Sequence, residues 1–156
     1  MSRAFVKESD GAETAELPDR PISEHPNLVT PQGLAQIEDT LTRLHEQHAQ
    51  AQAQAAGDRA ALASLGRDLR YWTARRSSAQ VMPAPDDVET VQFGSTVTIV
   101  RDDGRRQTFR IVGEDEAEPA QGTLSYVSPV ARALLNKAVG DVITAGSGEA
   151  EIVEIV

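Results

Sequence analysis

Thr30-Pro31-Gln32-Gly33-Leu34-Ala35-Gln36-Ile37-Glu38-Asp39-Thr40-Leu41-Thr42-Arg43-Leu44 opens with a hydroxyl side chain and then proline, the pairing that starts a helix with a cap and a pre-set first φ. Its apolar residues Leu34, Ile37, Leu41 and Leu44 step by three, four and three, and the series continues through His48, Ala51 and Ala55. That is a heptad seam. Gly57-Asp58 interrupts it, with Asp58 placed to cap a second helix. A second seam runs through Leu62, Leu65, Leu69, Trp72, Arg76 and Ala79. Two helices with matching stripes and a very short connection predict an antiparallel coiled-coil hairpin over residues 30–81. At ~1.5 Å per residue, arms of roughly 26 and 22 residues are ~33 to 39 Å long. Toward the tip, residues 48–56 offer the seam only alanine beyond His48, so helix propensity holds that stretch more than packing does.

Upstream, residues 1–29 carry Pro18, Pro21 and Pro26 among scattered acids and show no apolar periodicity. They predict a disordered acidic tail. Downstream, Met82-Pro83-Ala84-Pro85-Asp86-Asp87 is a linker over 82–87, and beyond it the period becomes two. Val97 and Ile99 alternate with Thr96 and Thr98, Asp102-Asp103-Gly104 is a turn, and residues 108–112 alternate again, a β-hairpin. Residues 123–127 read as a third strand. Ser128-Pro129 repeats the cap-and-proline device and starts a helix ending near Gly140, and residues 142–144 and 151–156 close the sheet. Residues 88–156 are therefore expected to form an α+β unit, an antiparallel sheet with one helix.

The chain has 156 residues and a formal net charge of −9, and the acid is unevenly placed. Residues 1–29 carry three basic and six acidic side chains, 30–81 six and five, and 82–156 six and thirteen. Such a surface repels phosphate backbones, so free-standing binding to duplex DNA is not expected. With no cysteine, disulfides, thiolate metal sites and cysteine nucleophiles are excluded, and a reducing cytoplasm fits. No apolar run approaches the ~20 residues of a membrane span. No membrane association is expected.

No nucleophile, base and orienter can be assembled, since the three histidines, His25, His45 and His48, all lie outside residues 88–156. His45 and His48 lack a third ligand nearby, and Gly146-Ser147-Gly148 is a turn without the following helix of a nucleophile elbow. The acidic run Glu114-Asp115-Glu116-Ala117-Glu118 could offer oxygen ligands to a divalent cation, but it lacks calcium-loop spacing and reads as a solvated loop. No catalytic residue, metal or cofactor is assigned, and the chain is expected not to be an enzyme.

Phe93-Gly94-Ser95-Thr96-Val97, Phe109-Arg110-Ile111-Val112-Gly113-Glu114-Asp115-Glu116-Ala117, and Ser128-Pro129-Val130-Ala131-Arg132-Ala133-Leu134-Leu135-Asn136-Lys137 followed by Val139-Gly140-Asp141 closely resemble the bacterial GreA/GreB transcript-cleavage factors. The resemblance covers residues 91–156 and, more loosely, the helices. It implies an FK506-binding-protein-like C-terminal fold that docks on RNA polymerase at the rim of the secondary channel, with Tyr126, Val127, Ser128 and Pro129 near the contact. It further implies a coiled coil that enters the channel, with Gly57, Asp58 and Arg59 at its tip. Family members typically carry two carboxylates there, one helical turn apart, to help hold magnesium for RNA cleavage by the polymerase. Here Gly57-Asp58 is followed by Arg59-Ala60-Ala61-Leu62, which supplies one, and the helices are shorter than the family's by roughly a heptad each, ~10 Å of reach. In that respect the chain is similar to the regulator of nucleoside diphosphate kinase group. The implied function is a polymerase-binding elongation regulator acting without cleavage stimulation. The alternatives are a cleavage factor using Asp58 and, from fold alone, a peptidyl-prolyl isomerase, for which residues 88–156 supply only Phe93, Phe109 and Tyr126 as aromatics.

Overall fold

Helix α1 spans Pro31–Ala53 and α2 spans Arg59–Ser78 in a computed structural model that describes residues 17–54 and 58–156. The caps form as the sequence predicts. Thr30 Oγ1 accepts the Gly33 amide at 3.0 Å, and Asp58 Oδ1 accepts the Ala61 amide at 3.1 Å. Along α1 the most buried apolar residues are Ile37, Leu44 and Ala51, one heptad apart. At the end of α2 the expected phase is wrong by one residue. Arg75 is buried, while Arg76 is half exposed and pairs with Glu38 at 2.9 Å. Arg75 is drawn in because buried acceptors await it, and those partners outweigh the heptad phase.

The chain divides into two compact units, Met1–Ile22 with Asp39–Ala74, and Ser23–Glu38 with Arg75–Val156. The division cuts through both helices rather than falling at their ends. In the first unit, residues 17–20 lie against α2. Asp19 pairs with Arg70 at 2.6 Å, Arg20 with Asp68 at 3.4 Å, and the Arg20 guanidinium sits 3.9 Å from the centre of the Tyr71 ring.

In the second unit, strands β1 (Leu28–Val29) and β2 (Gln80–Val81) pair in parallel immediately before α1 and after α2. The disordered tail expected over residues 1–29 is therefore corrected for residues 17–29. Ion pairs, a strand and the buried Asn27 fix them, none of which shows as apolar periodicity. Residues 1–16 lie outside the described residues.

The main sheet holds β3 (Thr96–Arg101), β4 (Arg106–Val112), β5 (Thr123–Ser125), β6 (Val142–Ala145) and β7 (Gly148–Ile155), ordered β5-β4-β3-β7-β6. The hairpin of β3 and β4 and the pairing of β6 with β7 are antiparallel as expected. The β4–β5 pair is parallel instead, because the loop over 113–118 and a 3-10 turn at Pro119–Gln121 carry the chain back to the level of Arg110, from which β5 runs in the same direction as β4. Helix α3 is Pro129–Leu134. It stops six residues short of Gly140 because Leu135 turns extended (ψ 135°) and Asn136 takes φ 66°. Val97, Ile99, Ile111, Ile152 and Leu134 form the centre of the core, which buries one face of the sheet under α3. Among the described residues no helix is long and apolar enough to cross a membrane.

Candidate functional site

The acidic loop after β4 is not a solvated loop, and that expectation is corrected. Within the second unit its three leading acids each hold a different piece of chain. Glu114 accepts the Ser23 hydroxyl at 2.9 Å. Asp115 pairs directly with Arg75 Nε, and Arg75 also donates to Asn27 Oδ1 at 2.7 Å and lies 3.8 Å from Glu114 Oε2. The Asn27 amide then donates to the Arg75 carbonyl at 2.8 Å and to Ser78 Oγ at 3.1 Å, which closes the network on the last turn of α2. An arginine with 2% of its side chain exposed is tolerable only with such partners.

Glu116 does the same for α1. Its carboxylate accepts the Thr30 amide at 2.9 Å, the Thr30 hydroxyl, and the Gly113 amide at 3.3 Å. An anion there also complements the partial positive charge of the helix N-terminus. Two glycines make room for it. A Cβ at Gly33 would stand 2.1 Å from Glu116 Oε2, and one at Gly113 would stand 2.3 Å from the Leu28 carbonyl oxygen. Arg110 adds a bond to Gln32 at 2.6 Å. The roots of both helices are thus fastened to the sheet by one loop. A signal existed in the sequence: glycine is a poor helix residue, and Gly33 three positions after Thr30 marks a close approach.

The expected docking residues begin α3. Ser128 is its N-cap, accepting the Ala131 amide, and Pro129 is its exposed first residue. Val127 is half-buried, and Tyr126 packs edge-on against Phe93 with centroids 5.7 Å apart. The Tyr126 hydroxyl donates to the Pro26 carbonyl. Burial, reinforced by the nearby Glu114 charge, pushes its pKa up. In the unfolded chain the phenol ionises first, near pH ~10, so the contribution of Tyr126 is complete below that pH and is lost as pH rises through the higher folded value. Melting temperatures between about pH 9 and 12 should fall more steeply in the wild type than in Tyr126→Phe. Parallel curves would refute this.

Of the expected tip, Gly57 lies outside the described residues. Asp58 and Arg59 are exposed, and the Asp58 carboxylate is engaged by the Ala61 amide. Among the described residues no three His, Cys, Asp or Glu side chains gather as a metal ligand set. Thus the structure brings Tyr126, Val127, Ser128 and Pro129 to the start of α3, and Asp58 and Arg59 to the start of α2. The loop acids, absent from the expected site, form a connected polar cluster in the second unit.

Residues 85–156 match the family model "Transcription elongation factor, GreA/GreB, C-term". The chain is 31% identical to transcription elongation factor GreA of Pseudomonas putida, over 86% of this chain and 97% of that protein. It is 34% identical to GreA of Methylobacterium nodulans, over 90% and 87%. With GreB of Neisseria meningitidis serogroup B the identity is 39% over 54% of this chain, and there the chain spans about half, 53%, of the relative's length. The expectation that the chain is not an enzyme is corrected by this finding. Its relatives are named transcription elongation factors GreA and GreB, so a flat exclusion of any part in catalysis does not stand. On the strength of the Pseudomonas and Methylobacterium matches, which run through the helices as well as the sheet, the chain belongs to the GreA/GreB family of transcription elongation factors.

Proposed function

We propose that this protein regulates transcript elongation by docking on RNA polymerase in the cytoplasm through its C-terminal, FK506-binding-protein-like unit. Its two long helices act as an antiparallel coiled-coil hairpin that occupies the secondary channel. The observation that carries the reading is the family match over residues 85–156, which holds the Ser128-Pro129 start of α3. Tyr126, Val127, Ser128 and Pro129 lie near the proposed contact, and nucleic acid is met only through the polymerase complex. Purified RNA polymerase and the protein should co-elute on gel filtration. Failure to associate at micromolar concentrations would refute the proposal.

The tip favours occupancy over metal-assisted cleavage. Asp58 is followed by Arg59, Ala60 and Ala61, so one carboxylate is offered where a stable divalent site draws on several hard ligands. That carboxylate also caps α2. Asp58→Ala should cost helix stability ~1 kcal/mol through the lost cap and leave polymerase binding unchanged. A tenfold loss of regulatory effect in this variant, with binding intact, would show that the carboxylate acts beyond capping.

A further inference from the structure

We infer that Glu116 is a positioning residue: by holding the first turn of α1 to the sheet, it fixes the helix root on which the proposed effect on the polymerase depends, while docking does not. The inference rests on the polymerase reading above and adds to it a place where binding and effect separate. Three observations carry it. Glu116 gathers the Thr30 amide, the Thr30 hydroxyl and the Gly113 amide on a single carboxylate. Gly33 and Gly113 leave no space for a methyl group beside that contact, so the fit is built from both sides. The partner across the loop is equally fixed, since Asp115 and Asn27 hold Arg75 at the other helix root. A loop that only carried surface charge would need neither the glycines nor the buried arginine.

Bonds from a carboxylate to backbone and hydroxyl donors are among the stronger local ones, and they vanish together when Glu116 is truncated. The sheet core, centred on Ile99 and Ile152, does not depend on them. Docking, proposed near the start of α3, should therefore survive the loss, while the helices lose their fixed root.

The test compares wild type, Glu116→Ala and Glu116→Gln in the full-length protein by amide hydrogen exchange, by co-elution with RNA polymerase, and by their effect on transcript elongation. In Glu116→Ala, exchange at Thr30 and Gly33 should rise at least roughly tenfold with Ile99 and Ile152 unchanged. Polymerase binding should stay within about twofold, and the effect on elongation should fall at least roughly tenfold. Glu116→Gln keeps one acceptor oxygen and should fall between. Unchanged exchange at Thr30 would overturn the clamp, and a wild-type effect in Glu116→Ala despite faster exchange would overturn its positioning role. Loss of polymerase binding in Glu116→Ala with the sheet intact would also overturn it, because Glu116 would then belong to the docking surface. Absence of binding by the wild type would instead sink the polymerase reading, and exchange at Thr30 would still decide the clamp.

Discussion

Arg75→Ala is expected to lower the free energy of unfolding by ~3–5 kcal/mol, the usual range for breaking a buried pair by removing one partner. Asp115 keeps only 9% of its side chain exposed, so truncating Arg75 leaves a carboxylate with little water to solvate it. Asn27, itself buried, loses the donor to its side-chain oxygen. Since a domain's total stability is commonly ~5–15 kcal/mol, such a loss is a large share of it. The neighbouring position supplies the contrast. Arg76 and Glu38 are each half exposed, and Arg76→Ala should cost only ~0–1 kcal/mol. Urea denaturation of both variants measures the difference, and equal midpoints would show that Arg75 is not the buried anchor.

Gly113→Ala is the second large effect, expected at ~3 kcal/mol, the upper part of the usual range for forcing extra atoms into a packed site. The added methyl would meet the Leu28 carbonyl oxygen at 2.3 Å, and backbone cannot swing aside as a side-chain end can. Relief requires β1 to move, which disturbs its pairing with β2 and the Thr30 contact to Glu116. Gly66→Ala in the interior of α2 should do the opposite. Its nearest neighbour would be Arg70 Nη1 at 3.6 Å, so the gain in helix propensity, ~1 kcal/mol, is free of a clash. A thermal melt of Gly113→Ala that is unchanged or raised would contradict the close approach at Gly113, and one of Gly66→Ala that is lowered would contradict the clash-free space there.

Short-range chemistry determined which features could be read from the sequence. The Thr30-Pro31 and Ser128-Pro129 starts were legible because a cap bonds to an amide three residues on, and both caps form. The β3–β4 hairpin was legible because its turn is local. The parallel placement of β5 was not, since a strand's partner is chosen by how a connection folds back and not by its own alternation. The acidic loop misled for the same reason. Asp115 is 40 residues from Arg75 and Glu116 is 86 from Thr30, so nothing beside them distinguishes bound acids from solvated ones. At the candidate site, the residue types at the tip and at the start of α3 were visible, while the cluster that fastens the helix roots left only Gly33 as a local sign, and its acidic partners emerged with the fold.

The most direct measurement is transcription by purified RNA polymerase halted in a backtracked state, with and without the full-length protein, tracked by the length of the labelled RNA. The expected result is that the protein binds and changes the rate at which the halted complex resumes or resists resumption, with no accelerated shortening of the transcript. Rapid RNA shortening by the wild type that disappears in Asp58→Ala would contradict it, because Asp58 would then be supplying a metal-positioning carboxylate at the polymerase active site.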